Sequence, residues 1–328
     1  MLASLNWLDA PQVIRFHFEH PDAFDGVAGV LIIHSKGTIN LMDTSNHIEI
    51  PGSVSLQTGK GGLPVIHVES ASSTAEIHPL GAHVTHFQRK NEEPLLFMSE
   101  ASWFEVGKPI RGGVPIVFPW FGGRDGMPAH GFARLAVWDI VTSRVLEDGS
   151  VMLHFRLPHD DPFETDFIVT VGDTLQMELS VTNTGHSDFR FESCLHTYFR
   201  IGDIRQIAVA GLKGTRYLDT LVSEEFTETE EFIRFTGETD RIYQNTSAAV
   251  EIHDPVLRRI IHVRKSGSQS TVVWNPWIDK SQRMPDFGDN EYPRMVCVES
   301  GNVKENAVVL KPGETSLLKV EIASEALG

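Results

Sequence analysis

The stretch TLQMELSV, residues 174–181, decides the fold class. Leu175, Met177, Leu179 and Val181 alternate with Gln176, Glu178 and Ser180, and Thr182 continues the polar series. Side chains of a strand point to opposite faces in turn, so a period of two gives one apolar face and one wet face. Working outward, VMLHFRL, DFIVTV, RQIAVAGL, STVVWN and LLKVEIA follow the same rule. Gly, Asp and Asn punctuate them in EDGS, VGDT, NTGHSD, IGD and KPGET. Amphipathic helical patterns are scarce, PVLRRIIH (255–262) being the best short candidate. Many short strands with frequent turns predict an all-β chain, a large antiparallel sandwich with few short helices.

The chain has 328 residues, 41% of them hydrophobic, which suffices for a sizeable core. Its net charge of −16 repels phosphate backbones and anionic lipid surfaces, which argues against nucleic-acid or membrane partners. An anionic ligand therefore needs a local basic pocket. Two cysteines, Cys194 and Cys297, are too few for a disulfide framework, and no Cys/His spacing reads as a zinc motif. Reduced thiols, no basic leader with a cleavage site and no long apolar run give the expectation of a cytoplasmic protein. The Gly-rich stretch 59–62 is a candidate boundary. It divides an N-terminal extension, 1–62, from a main domain, 63–328. QVIRFHF, GVLIIHS and NHIEI in the extension read as strands added to that domain.

Four segments are richer in polar and aromatic residues than core strands require: 110–134, 192–204, 271–281 and 295–302. The first, with its glycines, prolines and Trp-Phe-Gly-Gly corner, reads as a stiff loop of the kind that builds a site. If 193–200 is a strand, Cys194, His196 and Tyr198 share a face; if 294–300 is a strand, Met295, Cys297 and Glu299 do. His196 and Glu299 are thus candidates for a histidine–carboxylate pair, with the two thiols lining the floor beside them. His78, His83 and His86 fit no single face for a metal and read as solvated or inter-strand histidines. The chain has no GxSxG, P-loop or dinucleotide fingerprint.

In order along the chain, RGGVPIVFPWFG (111–122), AHGFAR (129–134), LHTYF (195–199), VVWNPW (272–277) and VCVESGNV (296–303) resemble the D-hexose-6-phosphate mutarotases. These are the glucose-6-phosphate 1-epimerase branch of the aldose 1-epimerase superfamily. The resemblance spans about four-fifths of the chain, from Val65 to near the C-terminus. It implies a β-supersandwich of the galactose-mutarotase type that interconverts the anomers of a sugar phosphate, needs no cofactor or metal, and uses His196 and Glu299 as its catalytic pair. It further implies that Arg111 and Arg134 bind substrate through the phosphate, His130 near the anomeric carbon, and Asp240 of GETDRIYQN through sugar hydroxyls. Ala129 stands where some relatives have Gln, which removes one substrate hydrogen bond. Unphosphorylated aldoses as substrate, or a non-catalytic carbohydrate-binding role, are the alternatives; the oligomeric state is open, a monomer being compatible with the sequence.

Overall fold

A computed structural model describes residues 12–14, 31–33, 48–159 and 161–327. Among the described residues all named strands pair antiparallel, with a helical turn at Trp277–Ser281 and a few single turns of 3-10 helix. The quoted stretch lies in strand Leu175–Asn183, where Leu175, Met177, Leu179 and Val181 are buried and the residues between them are not. That strand sits in a nine-stranded sheet, between Phe163–Val171 and Thr315–Ala326. An eight-stranded sheet carries Thr239–Gln244, Ser270–Asn275, Met295–Asn302 and Ser193–Leu195 as successive neighbours. One continuous apolar core takes side chains from both sheets, among them Leu179 and Val181 from the first and Val273, Val296 and Val298 from the second.

Val54–Thr58, Pro64–Glu69, Ser73–His78 and His83–Arg89 form a separate four-stranded sheet. Val54–Thr58 pairs with Pro64–Glu69, so the chain on either side of residue 62 belongs to one sheet. Of the extension, Gln12–Ile14 and Leu31–Ile33 form a two-stranded antiparallel pair. The rest of QVIRFHF and GVLIIHS lies outside the described residues. Among the described residues of NHIEI, only Ile50 makes a bridge, to Val54.

PVLRRIIH is not a helix. Val250–Asp254 and Arg259–Ser266 form a hairpin in which Asp254 pairs with Arg259, and residues 255–258 are its loop. The Asp254 carboxylate accepts from the amides of Val256 and Leu257 at 3.1 and 3.0 Å, while Arg258 takes a positive φ of 52°. The left-handed residue Arg258 turns the chain back so that Arg259 pairs with Asp254, and Ile260 and Ile261, being β-branched, favour the strand.

His78 and His83 oppose each other across neighbouring strands and both are buried, so the inter-strand reading holds and the solvated one does not. His83 Nε2 lies 2.7 Å from the Gly112 carbonyl oxygen, which ties the four-stranded sheet to the segment after Arg111. That segment runs close to backbone: Gly113 has φ +60°, and a Cβ there would strike the carbonyl oxygen of Val84. No helix among the described residues is long and apolar enough to cross a membrane.

Candidate active site

Strand Met295–Asn302 lies inside the eight-stranded sheet and is buried along its whole length. Its partner is interrupted. Leu195 pairs with Ser300 and Tyr198 with Cys297, which leaves His196 opposite Glu299. The interruption at His196 and Thr197 has a local cause. On the far side Cys194 and Leu195 pair with Val117 and Ile116, so the next partner is Pro115. The His196 amide donates to the Pro115 carbonyl at 3.0 Å, but a proline has no N–H to return. The Thr197 amide instead turns back onto the Leu195 carbonyl, and pairing resumes where Tyr198 N–H reaches the Gly113 carbonyl at 2.9 Å. The 193–200 segment is therefore two short strands around a kink that carries His196.

His196 Nε2 stands 3.1 Å from Glu299 Oε1. The sequence places both on a face away from an aliphatic core; in the structure that second face is covered too, and the Glu299 side chain is only 1% exposed. Tyr198 stacks on the His196 ring at 4.9 Å, and Trp274 meets it edge-on at 6.0 Å. The Cys194 thiol donates to Glu299 Oε2 at 3.6 Å. Cys297 is also close: its sulfur and the ligand atoms of His196 and Glu299 all lie within 4.8 Å of one another. Both thiols are free and buried beside the pair.

Burial dominates the protonation of this pair. It pushes His196 well below its usual range, helped by His130, Arg111 and Arg134, and pushes Glu299 well above the carboxylate range, helped by Asp240. Each group resists charge, so burial favours a neutral imidazole beside a protonated Glu299, which gives the pair one transferable proton. With that proton on Glu299 the two are neutral; moved across the 3.1 Å contact, it makes carboxylate and imidazolium.

The other predicted residues converge on the same pair. His130 adopts a left-handed φ of 63°, and its ring centroid is 5.7 Å from that of His196. Its Nδ1 accepts from the Gly122 amide at 3.4 Å, which leaves the N–H on Nε2. Burial and the charges of Arg134 and Arg111 lower His130 to about 3, so it is a neutral donor. Its neighbour Gly131 has φ +76°, and a Cβ there would meet the Phe118 carbonyl oxygen. Asp240 belongs to a row across four strands: it opposes Trp274, which opposes Cys297, which opposes Tyr198. Opposed residues point to one face, and that face is the site. Burial raises Asp240, against Lys280 whose Nζ is 3.7 Å away.

The two arginines differ. Arg111 grips Asp286 through Nε at 3.2 Å and through one terminal nitrogen at 3.0 Å, and its other terminal nitrogen donates to Tyr198 Oη at 2.9 Å. Burial works against its charge, but Tyr198 and Asp286 outweigh that and hold it above its ordinary range. A guanidinium has five N–H donors, so about two remain for a ligand. Arg134 has no carboxylate partner among the described residues. It donates to the Ala129 carbonyl at 2.7 Å, and its Nε is buried without a partner. Burial and the neighbouring Arg111 lower it to about 10. A cation held in a pocket without its counter-ion is prepared for an incoming anion.

Asp286 and the Tyr198 hydroxyl do not emerge from the sequence reading. Tyr198 shares a strand face with His196, a usable signal. Asp286 sits in the irregular loop RMPDFGDNEYP, where no periodicity exists to place it. That loop is fixed by Glu291, which accepts from Ser99 Oγ at 2.6 Å and from the Gly288 amide at 3.0 Å.

The family model for aldose 1-epimerase matches residues 64–323. A protein of Cenchrus ciliaris provisionally named glucose-6-phosphate 1-epimerase is 36% identical over 276 residues, covering 79% of this chain and 84% of its own. One from Escherichia coli K12 with the same provisional name is also 36% identical, over 76% of this chain and 86% of its own. Among solved structures, a Salmonella typhimurium protein provisionally called a mutarotase superposes with a TM-score of 0.78 and 31% identity, covering 85% of this chain and 96% of that one. A fold can host many chemistries, but sequence, fold and the buried histidine–glutamate pair coincide here. The chain belongs to the aldose 1-epimerase family.

Proposed function

We propose that the protein interconverts the α and β anomers of hexose 6-phosphates, glucose 6-phosphate first among them, by opening and reclosing the hemiacetal ring. The observation that carries this reading is the His196–Glu299 contact of 3.1 Å on a buried face ringed by His130, Arg134 and Asp240. Ring opening takes a proton from the anomeric hydroxyl and delivers one to the ring oxygen. With its single proton on His196, the pair does both: Glu299 accepts from O1, and His196 donates to the ring oxygen. The C1–ring oxygen bond breaks, C1 becomes an aldehyde, and the pair is left as neutral imidazole and carboxylic acid. Rotation about C1–C2 presents the other face, and the same two transfers run backward. The proton inventory closes without solvent.

Burial disfavours charge on both residues, and this suits a reversible reaction. Burial favours the neutral pair that ring opening leaves, and closure runs the same two transfers in reverse. His130, a neutral donor beside His196, hydrogen-bonds the oxygen on which charge develops. Asp240 accepts from sugar hydroxyls, and Trp274 offers a ring face. Arg134 receives the phosphate, with the remaining N–H groups of Arg111 beside it. A local cationic pocket explains how a chain of net charge −16 binds an anion. The names of the relatives support the phosphorylated substrate, and the buried acid–base pair supports an enzyme over a binding protein, since binding needs neither acid nor base. The expectation of a cytoplasmic protein is part of the proposal.

The phosphate assignment is tested by exchange NMR of the anomeric protons with glucose and glucose 6-phosphate. Arg134→Ala should cost the phosphorylated sugar a charge-assisted contact of about 1.5–3 kcal/mol, roughly 10- to 150-fold in kcat/KM, and glucose far less. Equal losses on both sugars would remove Arg134 from the phosphate site.

A further inference from the structure

The sequence contains no spacing that reads as a metal motif, yet strand pairing assembles three metal-ligating atoms. A ring nitrogen of His196, Cys297 Sγ and a Glu299 carboxylate oxygen all lie within 4.8 Å of one another, and all three residues are buried. Cys297 and Glu299 are two apart on one strand and so share its face, and His196 opposes Glu299 from the neighbouring segment. Cys297 has no role in the proton transfers described above. Its thiol is free, and it pairs by backbone with Tyr198 and Trp274, the two residues whose rings wall His196.

We propose that His196, Cys297 and Glu299 form a site for a thiophilic divalent cation, zinc above all, whose occupancy shuts off the reaction. A tetrahedral zinc with Zn–S of about 2.3 Å and Zn–N of about 2.0 Å holds its ligands roughly 3.3–3.8 Å apart. The observed spread closes to that with movements of about 1.5 Å or less, within reach of side-chain rotation. Three protein ligands leave the fourth position open, as in zinc sites that keep a water. Thiolate with imidazole selects zinc over magnesium and calcium, which prefer all-oxygen shells. Binding releases the thiol proton and the proton shared by the pair. The cation then occupies the nitrogen lone pair and the carboxylate that proton transfer needs. The inhibitory half of this inference rests on the proposed acid–base role of His196 and Glu299; the metal site does not.

Cobalt(II) reports the site without any activity. The expected spectrum of the wild-type protein has a near-ultraviolet thiolate-to-cobalt band and the strong visible bands of tetrahedral cobalt. The thiolate band should vanish in Cys297→Ser and in Cys297→Ala. In parallel, anomerisation is followed against buffered free zinc, with magnesium as control. Wild type should lose all activity, and the Cys297 variants, each measured against its own zinc-free rate, should need at least about tenfold more zinc for the same fractional loss. Wild-type protein lacking the thiolate band would overturn the site even if zinc inhibits. Equal zinc sensitivity of wild type and the Cys297 variants would also overturn it. The spectrum of the unaltered protein decides the matter if the variants do not fold, and it stands apart from whether the enzyme acts on sugars.

Discussion

The fork between Arg111 and Asp286 makes a quantitative claim about stability. The Asp286 side chain is 5% exposed and that of Arg111 is 19%, and the pair shares contacts at 3.2 and 3.0 Å. Removing one member of a buried pair costs about 3–5 kcal/mol, because the other charge is left without compensation. Arg111 retains the Tyr198 hydroxyl and some water, so Asp286→Ala belongs near the lower end, about 3 kcal/mol. Arg111→Ala strands Asp286, which is less exposed, and should cost as much or slightly more. The double variant removes both charges, so its loss should fall short of the sum by about 1.5–3 kcal/mol. Urea unfolding midpoints at neutral pH, with a common slope, measure all four corners of this cycle. If the two losses add to within about 0.5 kcal/mol, the side chains do not interact and the fork is wrong. The cycle also separates two roles of Arg111. Its contact with Tyr198 supports the ring that stacks on His196, so Arg111→Ala should slow neutral and phosphorylated sugars alike, with a further rise in KM for glucose 6-phosphate alone.

Two predictions concern pH. Burial lowers His196 and raises Glu299. The acid limb of kcat/KM, where a second proton binds, should therefore lie well below the histidine value of about 6.5, and the alkaline limb well above that of a free carboxylate. An acid limb with its midpoint near 6.5 would show that His196 titrates as if in water. His83 is fully buried and its proton affinity is lowered to about 3. Between about pH 6.5 and that value the unfolded chain takes up a proton that the native one refuses, so stability falls with falling pH, by at most about 1.4 kcal/mol per unit from this group. His83→Gln should make that slope shallower; an unchanged slope would mean that the native His83 is already protonated across this window.

The sequence legible as structure was the part governed by period. Leu175 to Val181 alternate in the fold as they do on the page, because each side chain answers to one flat interface. PVLRRIIH misleads because its apolar spacing fits both periods, and the choice falls to the left-handed turn at Arg258 and the pairing of Asp254 with Arg259. The same limit applies at the site. Alternation puts His196 and Glu299 on suitable faces, but their approach depends on register between distant strands, and the kink at His196 depends on Pro115 across the sheet. The family resemblance supplied that meeting, with Arg134, His130 and Asp240. Asp286 lies in an irregular loop, where only the folded chain shows what it touches. The grouping of Cys297 with His196 and Glu299 is likewise a product of pairing.

In the proposed reaction His196 and Glu299 together carry the proton transfers. Exchange NMR of the anomeric protons of glucose 6-phosphate, with wild type, His196→Ala and Glu299→Gln, tests it most directly. Wild type should accelerate anomer exchange, and each variant should lose at least about a hundredfold while still binding the sugar. Either variant exchanging anomers at the wild-type rate, or wild type giving no acceleration with any sugar, would contradict the account.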